Sequence, residues 1–208
     1  MKYDYKKQEK EIYRVKDTPT IIDLNTQKYI CIDSVGNPNS EGFSKNIKCL
    51  YSVAYTIKMK FKDIKDYFNY TVYPLEGYWG LTEKGIKIQN ENGKLDKDEL
   101  KYTLMIKQPS FVTKDLFNKA KELAIKTKKN ELLNNVYYKE DAEGLCLQML
   151  HIGSYDNEPS SFKIMEDYLK EKGYKRKEHN HKEIYLSDAR KTEKEKLMTI
   201  LRIKISKC

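Results

Sequence analysis

The sequence predicts an α+β fold built from two βαββ repeats, with an antiparallel sheet and a ligand cleft between the halves. Three observations carry this expectation. The order strand, glycine-containing loop, helix, strand, turn, strand occurs twice along the chain. The closing strands of the two copies align, LKYTLMIK from Leu100 against LMTILRIK from Leu197. An amphipathic connector separates the copies, so each has its own helix to cover its sheet. The halves run over about 28–112 and 136–208, inside a domain spanning 18–208, and the charged residues 1–17 precede it as an N-terminal extension stopped by Pro19. Ligand pockets favour such junctions of units.

The elements follow from local pattern. Lys28 to Gly36 is rich in β-branched and aromatic residues and ends in the turn-forming run Gly36-Asn37-Pro38-Asn39-Ser40. From Phe43 to about Met59, Phe43, Ile47, Leu50, Tyr51, Ala54 and Tyr55 recur at helical spacing. Tyr67 to Leu75 reads as the second strand, closed by Pro74, with Leu75-Glu76-Gly77-Tyr78-Trp79-Gly80 as a turn. The polar stretch Lys87 to Glu99 reads as an exposed hairpin loop around Gly93, and Leu100 to Lys107 as the third strand. Thr113 caps the connector helix, with Asp115 in its first turn and lysines in its last, on to about Lys128. In the second copy Leu145 to His151 is an apolar strand, and Gly153 with Asp156-Asn157-Glu158-Pro159 makes the turn. A helix with the stripe Phe162, Met165, Leu169 follows, stopped at Gly173. The stretch His179 to Arg190 supplies the next strand and Leu197 to Ile205 the last.

Composition narrows the function. The 208 residues can bury an ordinary core, and 17 of them are tyrosine, which offers flat apolar surface with a polar tip. The net charge of +9 comes from 40 Lys and Arg against 31 Asp and Glu. With no helix-turn-helix, zinc-finger or aromatic RNP-type motif, that excess reads as a solvated lysine surface rather than a specific nucleic-acid site. Cys31, Cys49, Cys146 and Cys208 form no CxxC pair and no signal peptide precedes them, so reduced thiols in a cytoplasmic protein are expected. No apolar run approaches the roughly 20 residues that span a bilayer. His151, His179 and His181 lack the cysteine or acid spacing of a closed metal site, and neither a metal nor a cofactor is expected. A drug-like small molecule is the expected partner of a monomer or weak homodimer.

One residue stands out. In His181-Lys182-Glu183-Ile184-Tyr185-Leu186, strand alternation sends Lys182, Ile184 and Leu186 one way and His181, Glu183 and Tyr185 the other. Glu183 is thus a lone acid between a histidine and a tyrosine in a strand-like run. A wet edge strand would also read this way.

The runs Tyr73-Pro74-Leu75-Glu76-Gly77, Gln108-Pro109-Ser110-Phe111-Val112-Thr113, His151-Ile152-Gly153-Ser154-Tyr155-Asp156-Asn157-Glu158-Pro159, Glu183 to Arg190 and Thr199-Ile200-Leu201-Arg202 resemble the GyrI-like small-molecule-binding family. They are most similar to its stand-alone bacterial branch, which includes cyclopropanoid hydrolases, and the resemblance covers about residue 20 to the C-terminus. It implies two SHS2-type βαββ modules and an aromatic-walled pocket for flat, often cationic or electrophilic molecules, with a buried glutamate at its floor. Glu183 takes that glutamate's place and Trp79 matches the aromatic wall. Tyr78, Tyr51, Tyr55, His151 and His181 complete the expected ligand-binding set. The chain departs from the family pattern at His181-Lys182, where a pair of histidines is usual, at Ala189 in place of a proline, and at Tyr78-Trp79-Gly80.

What the resemblance implies chemically is ring-opening of an electrophilic cyclopropane by water. An acid among apolar neighbours is more basic and suits a general base, here Glu183. A tyrosine hydroxyl, Tyr185 or Tyr55, would donate to the carbonyl oxygen that gathers charge. The same residues would otherwise hold cations without reaction, as a multidrug-sequestering or effector-sensing protein.

Overall fold

The computed structural model of the chain describes residues 2–208. They divide into two compact units, residues 2–4 with 27–141, and residues 5–26 with 142–208. Among the described residues no helix is long and apolar enough to cross a membrane.

The second unit begins with two short helices, α1 (Tyr5–Gln8) and α2 (Lys10–Tyr13), and the strand β1 (Thr20–Leu24). The first unit follows with β2 (Gln27–Val35), α3 (Glu41–Lys60), β3 (Leu75–Leu81), α4 (Glu83–Asn92), β4 (Leu100–Gln108), α5 (Lys114–Lys128) and β5 (Tyr137–Asp141). The chain then returns to the second unit with β6 (Gly144–Ile152), α6 (Glu158–Lys172), β7 (Tyr174–Arg176), β8 (His181–Tyr185) and β9 (Met198–Lys207). The duplicated βαββ plan is therefore present: β2-α3-β3-β4 in one unit and β6-α6-β8-β9 in the other. In each, the last strand lies between the other two, giving β3-β4-β2 and β8-β9-β6, all antiparallel. Each first strand also carries an added edge strand, β5 on β2 and β1 on β6, while β7 pairs with the far end of β9.

In the first unit Ile30, Ile32, Leu104 and Ile106 alternate onto one sheet face, and α3 buries Leu50, Val53, Ala54 and Ile57. Ser40 caps α3 by accepting from the Phe43 amide at 3.2 Å. In the second unit Leu147 and Met149 of β6 and Leu201, Ile203 and Ile205 of β9 pack with Met165 and Leu169 of α6. The glycine after each first strand sits at positive φ, +126° at Gly36 and +134° at Gly153, where a side chain would be strained.

Two expectations are corrected. Tyr67–Leu75 is not a strand, and only Tyr70 bridges to Tyr3. The strand lies one step later, because Pro74 has no amide to give a ladder while Leu75–Leu81 pairs residue by residue with Ile106–Leu100. The polar run from Lys87 is not a hairpin loop but most of α4. Thr82 caps it by accepting from the Gly85 amide, and Gly93 ends it in the left-handed conformation at φ +65°. Caps at both ends outweigh polar composition, since the helix buries little and its charged side chains stay in water. Residues 5–17 pack as part of the second unit: Tyr5 and Tyr13 are buried against each other, and the Glu11 carbonyl accepts from Gln148 Nε2 at 2.7 Å.

Candidate functional site

The site is built on β8. Pairing of Glu183 opposite Leu201, and of Lys182 opposite Arg202, sets the two faces of the strand. His181, Glu183 and Tyr185 face α6, which covers Leu201. Lys182 and Ile184 face the other way. Neither face is wet: Glu183 is 7% exposed and Lys182 3%.

On the α6 face both carboxylate oxygens of Glu183 are engaged. His181 Nε2 donates to Oε1 at 2.9 Å and the Tyr185 hydroxyl donates to Oε2 at 2.7 Å. The His181 ring meets Phe162 of α6 edge-on, with centroids 4.8 Å apart, and Tyr185 meets Tyr155 edge-on at 5.9 Å. These rings fix the donors that fix the acid.

A second acid completes the group. Glu158, the first residue of α6, is buried, and its Oε1 receives no donor among the described residues. Burial first, and then the charge of and hydrogen bond to Glu183, raise the Glu158 carboxyl far above the carboxylate range. Two acids in one dry site cannot both ionise, so a single proton stays with Glu158 and bonds the pair. Burial and then the nearby Glu183 charge also push the Tyr155 hydroxyl up to about 12. One oxygen or nitrogen each from Glu158, His181 and Glu183 lie within 4.8 Å of one another, close enough for one divalent cation. With His181 and Tyr185 already spent on Glu183, we read the trio as a hydrogen-bonded acid pair.

The opposite face of β8 carries a different charge group. Glu143 Oε1 accepts from Lys182 at 2.7 Å and from Arg202 at 3.3 Å, and Arg202 also donates through Nε and Nη2 to Gln148. Burial pushes the Glu143 carboxyl up, but the Lys182 and Arg202 charges pull it further down, to about 2.

His151 lies on the α6 face of β6, one strand beyond β9. Its Nε2 is 3.0 Å from the Ser154 carbonyl, which can only accept, so Nε2 carries the hydrogen and Nδ1 accepts from Ser161 Oγ at 2.8 Å. His151, Ser161, Asn157, Pro159 and Ile164 line an open groove of about 640 Å³ that does not include Glu183. The remaining expected residues belong to the first unit. Strand alternation sends Tyr78 and Trp79 to opposite faces of β3. Trp79 is buried against Phe43 and Tyr102, at centroid distances of 5.9 and 5.0 Å, and Tyr78 packs toward Tyr29, Cys31 and Met105. Tyr51 and Tyr55 stand together on α3, 6.2 Å apart, with Tyr55 50% exposed. Burial raises the thiols of Cys49 and Cys146, the latter to about 11, which leaves them poor nucleophiles.

Glu158 and Tyr155 escaped the sequence reading because Tyr155 to Pro159 read as a turn. A signal was present. Glu158 falls four residues before Phe162 and seven before Met165, on the same helical stripe, and an acid on an apolar stripe at a helix start is out of place unless it has a partner.

No curated protein matches the chain. Two solved structures from Listeria innocua match it over 99% of its length and 100% of theirs with TM-scores of 0.87, one described as a hydrolase at 33% identity and one as an uncharacterised conserved protein at 34%. The EcmrR C-terminal domain shares the fold at 12% identity, with a TM-score of 0.54 over 92% of this chain and 98% of that one. The model of the GyrI-like small molecule binding domain matches residues 17–206, nearly the whole chain, and the protein belongs to that family.

Proposed function

We propose that the protein binds flat hydrophobic or cationic small molecules at the Glu183 group and hydrolyses electrophilic cyclopropane-containing compounds, protecting against such toxins. The observation that carries this reading is the buried pair of acids, in which Glu183 accepts hydrogen bonds from His181 and Tyr185 and burial raises the carboxyl of Glu158 beside it. A Listeria protein described as a hydrolase, one third identical over its whole length, supports it.

The chemistry balances with these groups. Glu183 takes a proton from a water molecule as its oxygen bonds to a ring carbon. The strained carbon–carbon bond breaks, and its electron pair passes into the conjugated carbonyl as an enolate. The Glu158 proton goes to the enolate, giving the ring-opened alcohol, and the proton gathered on Glu183 restores the pair. General acid–base assistance of this kind contributes about 10²–10⁴-fold each way. Tyr185, which donates to Glu183, is a positioning residue in this scheme. In this scheme Tyr155, whose hydroxyl burial keeps neutral, donates to the carbonyl oxygen.

Glu183→Gln keeps the shape and removes the base. Product formation from a cyclopropane-fused dienone, followed by mass spectrometry, should fall at least about 100-fold in the variant. Turnover at the native rate would end the proposal. The second reading, sequestration without reaction, draws on the tyrosine rings around an ionised carboxylate, which attract cations. Under it the variant loses affinity for cations and there is no turnover to lose.

A further inference from the structure

We infer that a cationic ligand enters this site in exchange for the proton between Glu158 and Glu183, whereas a neutral ligand binds with that proton in place. The inference rests on the placement of the ligand at the Glu183 group and goes beyond it by saying which ligands are turned over and which are only held.

The geometry leads there in three steps. Glu158 is buried at 7% exposure and its Oε1 has no donor among the described residues, so as a carboxylate it would be an unsatisfied charge. As a carboxylic acid it brings its own donor and gives it to Glu183, beside which it lies. The pair therefore carries one negative charge and one exchangeable proton. A cation set between the two carboxyls supplies the positive charge that the proton supplies in its absence, and Tyr185, bonded to Glu183, and Tyr155 against it are the nearby rings. A neutral flat molecule offers no such substitute, and the proton remains available for the enolate in the proposed ring opening. A cation strips the site of that acid and is therefore held without reaction.

The other ionisable groups around the pair do not take over this role. On β8, His181 is the donor to Glu183 Oε1. Tyr185 donates to Oε2, and burial holds the Tyr155 hydroxyl neutral. Asp156 lies within the turn Tyr155–Asn157 before α6. Asp188, past the end of β8, is held ionised by Arg190 at 2.8 Å. Behind Phe162, Arg176 is paired with Glu166 at 3.2 Å.

The test compares two isosteric probes, the cation N-methylquinolinium and neutral 1-methylnaphthalene, by titration calorimetry in phosphate and in Tris buffer. The difference in observed heat between buffers counts the protons released. The cation should release about one proton and the hydrocarbon none. The Kd for the cation should fall about tenfold per pH unit between pH 6 and 8, because each unit raises by tenfold the population that has lost the proton. The Kd for the hydrocarbon should stay flat. Glu158→Gln should abolish the release and flatten the cation's profile, while His181→Asn should keep the release. Equal proton counts for the two probes, release that survives in Glu158→Gln, or release lost in His181→Asn each overturn the inference, as does failure of both probes to bind. Turnover of the cyclopropane plays no part in the count. Missing hydrolysis with proton release intact removes only the hydrolase reading, and a flat count with hydrolysis intact removes only the exchange.

Discussion

The two faces of β8 bury the same kind of group and treat it in opposite ways. Toward α2, Glu143 is ionised because Lys182 and Arg202 share it, and burial alone would have neutralised it. Toward α6, Glu183 accepts from His181 and Tyr185, and burial, then Glu183 beside it, raises the carboxyl of its neighbour Glu158. An acid matched by counter-charges is fixed and inert. An acid matched by a proton can give that proton up. Under the proposed function reactivity lies with the face whose acids are matched by a proton, while Lys182, the departure from the family pattern, serves the opposite, structural face.

The comparison can be broken first on the structural face. Glu143→Gln leaves Lys182 and Arg202 without the carboxylate they share and should cost about 3–5 kcal/mol in denaturant unfolding at pH 7, since a charge stranded in the interior is heavily penalised. Adding Lys182→Met should recover part of the loss. A change below about 1 kcal/mol would mean that this ion group is not holding β8 in place.

A smaller effect is expected where the α6 face is assembled. Gly153 at φ +134° turns the chain so that the Ser154 carbonyl meets His151 Nε2 and α6 can begin at Glu158. Gly153→Ala forces a side chain into that conformation and should lower stability by about 1–3 kcal/mol in the same measurement.

The effect that is smallest per pH unit, about 1.4 kcal/mol at most, separates the faces by sign. Glu158 has a folded pKa above its unfolded value, so the native state holds more protons than the unfolded chain above about pH 4.5 and stability drains away as pH rises from there. Glu143 has a folded pKa below its unfolded value, so its contribution is complete above about pH 4.5 and is lost as pH falls toward 2. Unfolding free energies of native protein and Glu158→Gln between pH 5 and 9 should diverge in favour of the variant as pH rises. Parallel curves would show that Glu158 does not carry the proton.

The reading of the chain went furthest where pattern is local. Alternation along His181 to Tyr185 put Glu183 with His181 and Tyr185 on one side, and two of the donors to that acid are its neighbours at i−2 and i+2 for that reason. It went wrong where a strand or helix is decided by its ends, at Pro74 before β3 and at Thr82 and Gly93 around α4. It could not see Glu158, 25 positions earlier on a helix, nor Glu143, the partner that Lys182 shares with Arg202, which comes from the chain just before β6.

What the sequence by itself determined was the repeat and the facing of each strand residue, because hydrophobic alternation and the matched closing strands leave one register that buries the apolar side. Which acid holds a proton, and which is held by cations, was decided only when α6 and the Glu143 segment closed over opposite sides of β8. Ionisation of a buried group depends on what else is taken out of water with it, and that company is gathered from distant parts of the chain.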